Sequence, residues 1–298
     1  MNLTHPIRGR AKKFMLWLLS CCWLLKKPRN ETGGALLGIW LAFKTSLTPL
    51  QKEQLTGCRH IIILAQQPLL VKQLITKHSR LASFQAQSGR SYLPDQRWPI
   101  YFDGELIIHG PSNTPNDLLT LDDQQSLVIA QRQTFNHSSV YIVQVISVNK
   151  LQGVDLTDDR LRLQLRLLQQ VPVVNLALRL VITDGASIPG FSAYQRYCHQ
   201  RRQPMRLTAT IDGSLSQAIE HLTNQTSDCL VQCSSNEFIS ILNFMAWVEQ
   251  YLPPFHRQLQ LLGHGHAQLP TSYYFVIDDK YCGASSNPFE LNHDQAMH

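Results

Sequence analysis

No acidic residue stands among the first 29 of this 298-residue chain, whereas seven basic ones do: Arg8, Arg10, Lys12, Lys13, Lys26, Lys27 and Arg29. Basic residues beside an apolar run suit an anionic membrane surface better than a nucleic-acid groove. No basic stripe interleaved with aromatics follows, so nucleic acid is not expected as a partner. A full-length membrane span is missing as well. Phe14–Leu25 (FMLWLLSCCWLL) would rise only about 18 Å as a helix, against a hydrocarbon thickness of about 30 Å. Ala35–Phe43 is shorter still. Flanking lysines can lengthen the first run by snorkelling, and its brief apolar core before Cys21 argues against a lipoprotein signal. The expectation for residues 1–35 is a membrane-association segment.

Seven cysteines, odd in number and irregularly spaced, make no disulfide framework. Cys229 and Cys233 sit four apart without a second pair at zinc-finger spacing, so reduced thiols in a cytosolic compartment are expected. Internal repeats are absent, and so is any nucleophile-elbow pattern. His264 and His266 would share a face in a strand, but no further metal ligand is placed beside them. Neither a metal nor a cofactor is expected.

What the chain does have is alternation. His60–Ala65 is a continuous β-branched run of the kind found in buried parallel strands. Before it, Leu36–Leu55 carries apolar residues at helical spacing; after it, Leu69–His78 reads as a helix. Trp98–Phe102 and Glu105–Ile108 flank Asp103–Gly104, a strong hairpin signal. Further strands are expected over Ser139–Val148, Val173–Thr183 and Met205–Ile211, with a short closing one in SYYFVID. Helices are expected within Asn116–Phe135, over Asp155–Gln170, after the turn at Ile188, and from Ser214. Asp158 and Asp159 suit a helix N-terminus. A last helix opens at a Ser235-type cap and is stopped by Pro253–Pro254. The pattern predicts an α/β domain with a mostly parallel sheet over 36–212, a helical extension with a closing strand over 213–280, and a tail over 281–298.

The segment HIIILAQQPLLVKQLI (His60–Ile75) has the outline of a phosphate loop, strand then turn then helix. Such a loop needs glycines, so that backbone amides converge on phosphates, a lysine for charge, and a hydroxyl for magnesium. With Lys72 as the lysine, the glycine positions hold Gln66 and Val71, and the hydroxyl position holds Gln73. Val71 is β-branched and resists glycine-like backbone angles, and Pro68 lacks a donor. By itself the segment is an ordinary strand, loop and helix with a lysine.

Four further segments, taken with this one, resemble the cytoplasmic GTPase-like region of the type VI secretion family called TssM or IcmF. Trp98–Asn113 (WPIYFDGELIIHGPSN) is similar to the family's strand leading into its D-x-x-G turn. Ser138–Leu156 and Ala177–Gln195 (ALRLVITDGASIPGFSAYQ) are similar to the segments that follow, and the helix ending in YLPPF, then SYYFVID, to a later stretch. Order and spacing agree from about Leu36 to Asp279.

The resemblance implies a P-loop GTPase-like fold but not its chemistry. The D-x-x-G aspartate falls on His109 and the glycine on Ser112. The base-reading lysine and aspartate fall on Asp184 and Ala186. Pro189–Phe191 keeps a shared PGF turn. Phosphoryl transfer depends on electrostatic positioning by those groups and a metal, so no hydrolysis is expected. The implied protein is a non-catalytic scaffold at the cytoplasmic face of a bacterial inner membrane. Its implied partners are a TssL-like (DotU-like) inner-membrane protein and secretion baseplate components. Family members continue into a third membrane helix and a periplasmic region that this sequence does not contain. The rival readings are an active NTPase with a divergent loop, which would need Lys72, and a soluble adaptor or regulator.

Overall fold

The apolar runs pair into one seven-stranded sheet, in a computed structural model that describes residues 41, 43–45, 47–55, 58–64, 100–102, 106–109, 121–152, 159–201, 206–210, 215–227, 233–262 and 269–275. Its strands are β1 (Arg59–Leu64), β2 (Ile100–Phe102), β3 (Leu106–His109), β4 (Ser139–Ser147), β5 (Asn175–Thr183), β6 (Arg206–Thr210) and β7 (Pro270–Phe275). They lie in the order β2-β3-β1-β4-β5-β7-β6. The central strands β3, β1, β4, β5 and β7 are parallel. Each edge strand, β2 and β6, runs antiparallel to its neighbour.

Parallel strands need crossovers, and described helices lie in those from β3 to β4, from β4 to β5 and from β5 to β7. The described helices are α1 (Pro49–Gln54), α2 (Leu121–Phe135), α3 (Val148–Gln152), α4 (Asp159–Leu168), α5 (Phe191–Arg201), α6 (Leu215–Ser227) and α7 (Ser235–Leu262). Strand alternation sends Ile62, Ile142, Leu178 and Phe275 to one face, where they join a core with α3 to α7 and the end of α2. In α4, Leu161, Leu165 and Leu168 form the buried stripe while Arg162 and Arg166 are exposed. Ile61, Ile63, Val143 and Val181 alternate to the other face and are equally buried. A strand buried on both sides has no polar side to show, which is why β1 and β4 read as mainly apolar runs without alternation.

Local chemistry sets the helix starts. Thr48 accepts from the Gln51 amide while the Gln51 side chain accepts from the Thr48 amide, a reciprocal capping box with Pro49 as the first helical residue. The helical reading of Leu36–Leu55 is therefore interrupted at Leu47 and Thr48. Ser234 and Glu237 form the equivalent box ahead of α7, one residue earlier than the Ser235 cap expected from sequence.

The expected stop at Pro253–Pro254 is corrected: α7 passes through both prolines to Leu262. Each proline lacks an amide, so the carbonyls of Glu249 and Gln250 lose their helical donors. Both residues are exposed, on the side of the helix away from the core, and buried Leu252, Phe255 and Leu259 hold the helix on the core across the gap. Tertiary burial outweighs the local break. β7, from the segment read as an extension, lies inside the sheet between β5 and β6.

Helix α5 meets α7 at the PGF turn. Gly190 has φ +74°, and a Cβ there would lie 1.6 Å from the Ser240 carbonyl oxygen. Only glycine lets the two backbones approach this closely. The Tyr194 ring then stacks on Phe244, Phe191 packs against Phe244 at a tilt, and Phe275 of β7 closes the group.

Candidate functional site

An open α/β sheet places its crevice at the carboxyl ends of the strands where the connections diverge. β1 leads to β3 on one side, and β4 leads to β5 on the other, so this point lies between β1 and β4. The chain leaving Leu64 at the end of β1 is the segment with the phosphate-loop outline. Gln66, Val71, Lys72 and Gln73 lie outside the described residues, as do Ser112, Cys229, His264, His266, the helix read over Leu69–His78 and the apolar segment Phe14–Leu25. His109 is the last residue of β3, and Asp184 follows the last residue of β5. The topology thus brings the described candidate positions to one end of the sheet.

His109 does not face that crevice. It is 1% exposed, and its Nε2 lies 3.0 Å from Nδ1 of His60 on the neighbouring strand. One imidazole donates and the other accepts. The rings are nearly parallel, with centroids 5.4 Å apart, and the Phe135 ring from the end of α2 stands edge-on to both. Burial pushes the His60 imidazole down to about 3. Burial and the neighbouring His60 push His109 well below its ordinary value. Both rings are therefore neutral near pH 7. A pairing of His109 with Asp184 is excluded: three strand spacings, about 14 Å, separate β3 from β5.

Asp184 acts through its backbone. Its φ of 61° is left-handed, a conformation that aspartate tolerates better than most residues. Its carbonyl accepts from the Ser187 amide at 2.9 Å and the Ser187 hydroxyl at 2.7 Å, closing the 3-10 turn Gly185–Ser187. Ala186 is exposed at the top of that turn and carries no group that could read a base. The residues at these positions do not fit a magnesium–nucleotide complex. Among the described residues, no group of three or more His, Cys, Asp or Glu could hold a metal ion. No described helix is long and apolar enough to cross a membrane.

Three buried polar contacts were not anticipated from sequence. One is the His60–His109 pair itself. The second is Arg179, 1% exposed in mid-β5, with its guanidinium 4.7 Å from the ring centre of Tyr141 on β4. The third joins α7 to β7, where His256 Nδ1 and the Tyr273 hydroxyl are 2.6 Å apart. Burial raises the Tyr273 phenol above its ordinary range. A signal existed for the first two: His60, His109 and Arg179 each adjoin or interrupt a run of apolar residues in their strands.

Compared with family models, curated proteins and solved structures, the chain matches none.

Proposed function

We propose that this chain is a non-catalytic, GTPase-like scaffold. The observation that carries the reading is the setting of His109. It stands where a GTPase of the resembled family ends this strand on the aspartate that addresses magnesium through water. Here the side chain at that position is an imidazole turned into the core and bonded to His60. Buried against His60, this ring is out of reach of a ligand at the strand end and lacks the carboxylate with which an aspartate addresses magnesium. The sheet order supports the GTPase-like part of the proposal, since the antiparallel edge strand β2 beside β3-β1-β4-β5 is the arrangement expected of that fold.

The cellular setting follows from the ordered resemblance between Leu36 and Asp279. It is an inner-membrane complex of a type VI secretion apparatus, with a TssL-like (DotU-like) protein and baseplate components as partners. Function would then reside in contact surfaces and not in a reaction cleft. Calorimetry of Mg-GTP and Mg-ATP with the full chain tests the first part. No saturable heat at millimolar nucleotide is expected. Binding abolished by Lys72→Ala would instead establish an unorthodox phosphate loop. Membrane fractionation tests the second part: a chain lacking residues 1–29 should leave the membrane, and its retention there would count against the N-terminal anchor.

A further inference from the structure

The His60–His109 contact occupies a telling place in the sheet. β2 and β3 form a short ribbon at one edge, three and four residues long. Only β1 joins that ribbon to the rest of the sheet, through four register positions with β3. By comparison, β4 and β5 pair along nine positions. On the face that carries Ile62 and Phe135, the imidazole pair is a side-chain bond between ribbon and sheet.

From this geometry we infer that the two histidines are a proton-sensitive fastening that holds the β2–β3 ribbon to the sheet and lets it open in acid before the sheet does. A first proton added to the closed pair leaves the N–H···N bond intact but buries a charge. A second makes both facing nitrogens donors and breaks the bond. Opening the ribbon hydrates both rings and removes both penalties, so opening gains protons. Short edge elements with few pairings are also the parts of a fold that open below the global unfolding free energy.

Charges on the surrounding elements do not offset this. Among the described residues, Arg59 of β1 and Tyr141 of β4 alternate to the opposite face. Arg132 of α2 is exposed and donates to the Gln170 carbonyl at 2.9 Å. His137, just beyond α2, and Arg162 and Arg166 of α4 are exposed. No carboxylate contributes to the low affinity of either ring for protons; desolvation does so for both, with His60 adding to it for His109.

Hydrogen exchange of the full chain between pH 7.5 and 4.5, corrected for intrinsic rates, tests the inference. The opening equilibrium of the peptide covering residues 100–109 should rise about tenfold per pH unit below about 6.5 for each proton gained. The β5 peptide should rise less, and the double variant His60→Leu/His109→Leu should lose the rise. Parallel behaviour of ribbon and β5 would overturn the inference, as would a rise that persists in the double variant. Imidazole proton signals of the native chain supply the same test without a variant. Two rings that stay neutral until the ribbon opens support the fastening; ordinary titration with the ribbon closed refutes it.

Discussion

His60 and His109 share one N–H···N bond across β1 and β3, at 3.0 Å, with Phe135 edge-on to both rings. Neither ring is charged near neutrality, so the contact behaves as a polar patch embedded in an apolar core. Its energetics follow from that, because a buried polar group costs most when its partner alone is removed.

The single variant His109→Leu should lose about 1–3 kcal/mol at pH 7.5, through the donor or acceptor of His60 left facing leucine. The double variant with His60→Leu should recover most of this loss. Urea unfolding midpoints of the four proteins in the cycle give the coupling; additive losses would show that the bond is energetically idle.

Acid should destabilise the whole chain with a defined sign. The unfolded rings protonate near 6.5, whereas burial holds His60 to about 3 and His109 well below 6.5. Between these values the unfolded chain binds more protons. The stability contribution is complete above about pH 6.5 and, as long as the ribbon stays closed, falls as the pH drops below it, by about 1.4 kcal/mol per unit for each ring. Urea midpoints at half-unit steps read the slope directly, and a flat profile between pH 6.5 and 4.5 would contradict it.

Gly190→Ala should cost about 2–5 kcal/mol. The added Cβ meets the Ser240 carbonyl and must also adopt φ +74°, so strain and overpacking combine. Loss of the near-ultraviolet signal from the Phe191, Tyr194 and Phe244 group at lower temperature would accompany it. An unchanged melting temperature would mean that α5 and α7 can separate freely.

Tyr273→Phe should cost about 1–3 kcal/mol, since it removes the hydroxyl 2.6 Å from His256 and leaves the volume unchanged. The same substitution at exposed sites is near neutral. Thermal melts distinguish the two outcomes.

Much of the sheet could be read from sequence because it is buried on both faces. Ser139–Ser147 and Asn175–Thr183 appear as long apolar runs for that reason, and Asp103–Gly104 predicts the antiparallel pairing of Ile100 with His109. What escaped reading depended on contacts far apart in sequence. Pro253 and Pro254 obey a local rule that the packing of Leu252 and Phe255 overrides. The insertion of β7 between β5 and β6 has no local signature. His109 was singled out by its position, yet its partner lies 49 residues away and no spacing reveals it. Asp184 was weighed for its side chain, while the structure uses its left-handed backbone.

The place of β7 also dictates an order of events during synthesis. β6 pairs with β7 alone, and β5 has β4 on one side and β7 on the other. Until the ribosome has released residue 275, β5 is an open edge and β6 has no sheet to join. Some 65 residues of nascent chain, including all of α6 and α7, must therefore be made and held in reserve after β6 emerges. During that interval the edge of β5 that β7 will occupy has no partner strand from this sheet.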